Sequence, residues 1–167
     1  MRIAIVALAL VACSRASDES RSKRSPTPPP PAKVAVPAGL RIPLSIEGAP
    51  APPIDAPRLE QLAPDFADED HRAWRLTTLV PAFDRPGLAI EADGEPGMSV
   101  RLDRPEPSAA LVPVLFLTRR GEVVVTVLDP ADPFPRYHGQ GGRLRRPGDP
   151  QPHVSPVTAL RVVARAP

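Results

Sequence analysis

A chain of 167 residues has room for one domain and an extension, and its 42% hydrophobic content supports a core built from Val, Leu, Ile and Ala, because aromatics reach only 4%. Its 26 prolines exclude long helices over most of its length, since proline lacks a backbone donor and blocks helix interiors. The net charge of +2 is unevenly spread: residues 14–37 carry five basic and two acidic groups, residues 38–129 nine and fifteen, and residues 130–167 six and two. No basic stripe interleaved with aromatics appears, which argues against nucleic acid as a partner.

The chain opens MRIAIVALALVACSR. One arginine precedes an apolar run from Ile3 to Ala12 that is too short to span a bilayer, which needs about 20 apolar residues. The run fits the core of a secretory signal peptide. Its end, Leu10-Val11-Ala12-Cys13, resembles the lipobox of bacterial lipoproteins. The resemblance implies cleavage before Cys13, lipid on the Cys13 thiol, and, with Ser14 rather than Asp next, sorting to the outer membrane. Stable anchoring needs more than one acyl chain. The alternative is a plain signal peptide with a chance cysteine. Cys13 is the only cysteine, so the rest of the chain has no thiol for a disulfide, a metal or nucleophilic work.

Residues 13–37 read as a lipidated cysteine followed by a Ser- and Pro-rich tether, with Pro26 and Pro28–Pro31 forming an extended spacer. A proline-rich ligand for a recognition domain is the alternative. The body, 38–167, starts with LRIPLSIEG. Here Leu40, Ile42, Leu44 and Ile46 alternate with polar positions, predicting a half-buried strand that Pro43 places at a sheet edge. APAPPIDAP reads as a loop. Asp55 caps a short helix with Pro57 in its first turn, ending before Pro64. DFADED reads as an acidic turn, and Trp74, Leu76 and Leu79 are expected in the core. Strands follow at 87–92 and 98–102, joined by a turn with Gly94, Pro96 and Gly97. ALVPVLFLTRRGEVVVTVLD reads as a β-hairpin around Thr118-Arg119-Arg120-Gly121, and its continuous apolar runs predict two central strands. VTALRVV, 157–163, is the last strand. The fold class is α+β: a strand-rich single domain with a mixed or antiparallel sheet, short helices and many Pro/Gly loops.

Chemistry-bearing patterns are sparse. His71, His138 and His153 have no metal-ligand spacing. Asp65, Asp68, Glu69 and Asp70 lack the alternation and glycine of a calcium loop and read as a solvated turn. No serine lies in G-x-S-x-G. These patterns predict a non-catalytic domain with no cofactor and no metal. YHGQGGRLRRPGD, 137–149, has two readings. In one, an anion loop is formed by His138, Gly141, Gly142, Arg143, Arg145 and Arg146, with Gly139 freeing the backbone. In the other, it is a glycine-rich turn whose arginines offset the acidic body.

Gly139–Gly142, Arg143–Arg146, Pro147-Gly148-Asp149 and Val157–Val162, with LEQLAPDF and RAWRLTTLV upstream, resemble the sulfite oxidase-type molybdopterin-binding domain over residues 38–165. That resemblance implies molybdopterin as cofactor and the 137–149 loop as its grip. Catalytic members bind molybdenum through a cysteine, and residues 38–167 contain none. Two functions follow as expectations. The first is a membrane-anchored periplasmic lipoprotein whose domain meets a protein partner. The second is a molybdopterin-type cofactor-binding or redox-accessory domain.

Overall fold

The structure, a computed structural model, describes residues 34–135 and 152–165. Nine strands and two short helices follow in the order β1 (Arg41–Ile46), β2 (Ala49–Asp55), α1 (Ala56–Gln61), β3 (Phe66–Ala67), β4 (His71–Arg75), α2 (Leu76–Leu79), β5 (Leu88–Asp93), β6 (Ser99–Asp103), β7 (Val112–Thr118), β8 (Val123–Leu128) and β9 (Ala159–Ala164), with a 3-10 turn at Pro81–Asp84 before β5. The result is a strand-rich α+β domain. A mixed five-stranded sheet has the order β2-β1-β9-β5-β6, and an antiparallel four-stranded sheet has the order β3-β4-β7-β8. The inward faces of both sheets contribute to one core, with Ile42, Leu44, Ile90 and Leu160 from the first and Trp74, Leu115, Leu117 and Val125 from the second.

The period-2 pattern places Ile42 and Leu44 in that core. Strand β1 is nevertheless interior, between β2 and β9, and not the edge that Pro43 suggested. The register shifts between Ile42 and Leu44, so Pro43 sits at a bulge, and pairing with β9 begins only at Leu44. A bulge accommodates a residue without an N–H. The segment read as a loop is the true edge, β2. Its Pro50 fits there because an outer edge leaves alternate N–H groups unused, and the adjacent Pro52 and Pro53 lie opposite Pro43 where the register shifts.

Asp55 caps α1 as expected: its Oδ1 accepts from the Arg58 N–H at 3.1 Å, and Pro57 lies in the first turn. Trp74, Leu76 and Leu79 are fully buried, and the Trp74 indole donates to the Leu62 carbonyl at 2.9 Å. The β7–β8 hairpin closes with Gly121 at φ +79°, a left-handed position that a non-glycine residue adopts only with strain. Strand β7 is central, but β8 is an edge strand, contrary to the expectation. It reads as central because both faces are buried, Val123, Val125 and Val127 in the main core and Val124 and Leu128 in a second cluster with Phe116, while a strap bonds its outer edge. Val154 exchanges two backbone hydrogen bonds with Val125 (3.0 and 3.1 Å), the Val157 N–H donates to Val123, and the buried Thr126 hydroxyl donates to the Pro152 carbonyl at 3.1 Å.

Val34 and Val36, inside the segment read as tether, are buried in the core. Burying a valine side chain contributes about 1.5–3 kcal/mol, enough to bind the chain to the domain from Val34 onward. Pro37 lies at the β7–β8 turn, since a β-carbon at Gly121 would stand 3.5 Å from its Cγ. The described chain thus enters the domain at the hairpin-turn end of the four-stranded sheet.

Candidate functional site

At the opposite end of that sheet a cleft of about 420 Å³ opens between the two sheets' connecting segments. It is lined by Arg75 at the end of β4, Thr77 of α2, Asp84 of the 3-10 turn, residues 104–107 and Ala109 after β6, Val112 at the start of β7, and Pro130 after β8. Seven residues of β7 at about 3.4 Å each put roughly 20 Å between this end and the hairpin turn.

The two arginines are oriented from behind. The Arg75 backbone N–H donates to Asp65 Oδ2 at 2.8 Å, its Nε stands 3.7 Å from Asp65 Oδ1, and its guanidinium lies 5.2 Å from the Phe66 ring centroid. Arg104 Nε donates to the Asp84 carbonyl at 2.6 Å and to Asp84 Oδ1 at 3.3 Å. Their side chains are 37% and 25% exposed. Pairs this exposed contribute at most about 1 kcal/mol each, so they fix geometry more than they stabilise the fold. Among the described residues no further group bonds the terminal Nη atoms of either arginine. Glu106 is exposed on the same cleft and has no ion pair among the described residues. Proline and aliphatic surfaces from Pro105, Pro107, Ala109, Val112 and Pro130 form the rest of the wall.

The sequence-predicted site residues lie elsewhere. Cys13 and the candidate anion loop, with His138, Gly141, Gly142, Arg143, Arg145 and Arg146, fall outside the described residues. His71 packs on the outer face of the four-stranded sheet, stacked at 5.3 Å on Phe116 and 5.0 Å on Phe134, with its Nδ1 2.9 Å from Asp68 Oδ1. The acidic cluster does not converge. Asp65 turns to Arg75 and Thr78, Asp68 accepts from the Asp70 N–H and faces His71, and Asp70 pairs with Arg119 at 3.4 Å. These are turn-forming contacts within the chain.

The cleft residues had no signature in the sequence. They come from separated segments with no common spacing, and the charged ones each look in isolation like ordinary surface residues. On the outer face of the five-stranded sheet, cross-strand charges cancel: Arg101 and Arg161 flank Glu91, Arg161 also reaches Asp93 at 2.6 Å, and Arg165 pairs with Asp103. That face therefore offers little net field, and among the described residues the mixed-charge cleft is a concave feature suited to hold a ligand. No family model matches the chain, and neither a curated protein nor a solved structure is found similar to it, so the case for its function rests on its own residues and geometry.

Proposed function

We propose that this chain is a lipid-anchored envelope protein whose β domain is a non-catalytic binding module. In this reading Cys13 carries the lipid, residues 14–33 form the tether, and the domain from Val34 onward presents the cleft to the periplasm. The observation that carries the reading is the placement of the two ends. Chain entry at Pro37 and the cleft at Arg75 and Arg104 lie at opposite poles of the β7–β8 hairpin. A tethered domain so arranged turns its concave surface away from the membrane that holds it.

The test is metabolic labelling of the full chain with radioactive palmitate in a bacterial host, followed by fractionation. The parent chain is expected to be labelled and to sediment with membranes, and Cys13→Ser to lose both properties. Label retained by Cys13→Ser, or an unlabelled parent, would overturn the anchor. A stoichiometric pterin released from the purified protein would replace the non-catalytic reading with the cofactor-binding one.

A further inference from the structure

We infer that the cleft between Arg75, Arg104 and Glu106 binds a small zwitterion, a ligand of the amino-acid or dipeptide class with one carboxylate and one ammonium. This deepens the binding-module reading and rests on it for the site's purpose, but not for its chemistry. Both guanidinium groups of the cleft are already held on one side. Each engages an acidic residue through Nε, Arg75 with Asp65 and Arg104 with Asp84. That leaves the Nη atoms, the pair that makes the second half of a fork, for another acceptor. Partial burial lowers the local dielectric, so a carboxylate placed there interacts more strongly than it would on an open surface.

The remaining charges narrow the class. Asp65, Asp84 and Glu106 against Arg75 and Arg104 leave the neighbourhood one negative charge in excess. A multiply charged anion such as a phosphate monoester gains from the arginines but is opposed by three carboxylates. A simple cation gains from Glu106 but is opposed by two guanidinium groups. A ligand carrying both signs satisfies the Nη donors and the Glu106 carboxylate together. Thr77 adds a hydroxyl, and the proline walls suit a short aliphatic side chain. A volume of about 420 Å³ lies low in the range of about 300–1,000 Å³ typical of small-molecule sites, which favours a ligand of amino-acid or dipeptide size over a long peptide.

The experiment is isothermal titration of the full lipidated chain in detergent with L-alanyl-L-alanine. L-alanine, N-acetyl-alanyl-alanine and alanyl-alanine amide are run in parallel. Saturable binding of the dipeptide is expected, weakened about tenfold or more when either terminus is blocked, as for loss of one charge-assisted hydrogen bond. Free alanine binding as tightly as the dipeptide would identify the amino acid itself as the source of the zwitterion. Arg104→Gln is expected to abolish binding. Because that change also removes the contact to Asp84, Glu106→Gln is the second variant: it is exposed, has no ion pair to lose among the described residues, and is expected to weaken the dipeptide about tenfold while leaving the blocked-amine analogue unchanged. No heat from any zwitterion up to millimolar concentration, or equal binding of the doubly competent and blocked ligands, would overturn the assignment. Palmitate labelling is independent of this result, so a chain that labels but binds no dipeptide would lose its ligand and keep its anchor.

Discussion

Gly94 follows β5, and its α-carbon faces the strap that covers β8. A β-carbon added there would stand 2.4 Å from Val154 Cγ2 and 3.0 Å from the Pro156 carbonyl oxygen. Ordinary contact needs about 1 Å more at the valine, and neither partner yields easily. Val154 is fully buried and is held by two backbone hydrogen bonds to Val125. Gly94→Ala is therefore an overpacking change, expected to destabilise by about 1–3 kcal/mol. The glycine's φ is not in the left-handed region, so no backbone strain enters that figure. Urea unfolding followed by Trp74 fluorescence reads it, since the single tryptophan is buried in the core. With m of about 2 kcal/mol/M, the midpoint should fall by roughly 0.5–1.5 M with m unchanged. Val154→Ala alone removes two buried methyl groups and should cost about 2 kcal/mol. In the double variant the new methyl takes space that the valine has vacated, so its cost should fall short of the sum by at least about 1 kcal/mol. Additivity within about 0.5 kcal/mol would refute the close approach of Gly94 to the strap, because residues out of contact add to within that margin.

Two further outcomes follow from the same packing. Arg58→Lys should cost about 1–2 kcal/mol in urea unfolding, because the Arg58 guanidinium donates to the carbonyls of Pro52, Pro53 and Leu79, and a single ammonium cannot reach all three. Glu91→Gln should cost less than about 1 kcal/mol at low salt, since Glu91 is partly exposed between Arg101 and Arg161, and the cost should shrink further in 1 M salt, where screening reaches about 3 Å; a cost that is unchanged by salt would show that the pairing is not electrostatic.

Where one local rule decided the structure, the sequence was readable. The alternation of Ile42 and Leu44, the Asp55 cap with Pro57 behind it, and the turn at Gly121 between two apolar runs each rest on neighbours within a few residues. The misread elements all depend on a distant partner. APAPPID looks like a loop because three prolines forbid an interior strand, yet an outer edge tolerates them once β1 lies alongside. The double-sided burial of β8 looks like a central position, but its outer face joins Phe116, Phe66 and Phe134 in a second cluster, and only its edge is covered by a strap some thirty residues later. Pro43 suggested an edge, and the chain absorbs it in a bulge instead. The cleft was the least legible feature, because Arg75, Asp84, Arg104 and Pro130 become neighbours only when both sheets are folded.

The arrangement of charge gives the two poles different characters. Around the entry point stand Asp68, Glu69, Asp70 and Glu122 against Arg119 and Arg120, and Arg119 is already paired with Asp70. That pairing leaves Arg119 engaged and not free for an anionic leaflet, where each basic residue near the surface would contribute about 1 kcal/mol. The basic residues that would favour such a surface, Arg15, Arg21, Lys23, Arg24 and Lys33, precede the domain. In the anchored reading, residues 14–33 span at most about 70 Å between lipid and Val34. In that reading the tether sets the domain's distance from the leaflet. The cleft stands roughly 20 Å beyond the entry point, with a mixed-charge lining that neither draws the domain toward lipid headgroups nor fits them. In the anchored reading, a ligand for it would reach the domain from the aqueous side, on which small zwitterions diffuse freely.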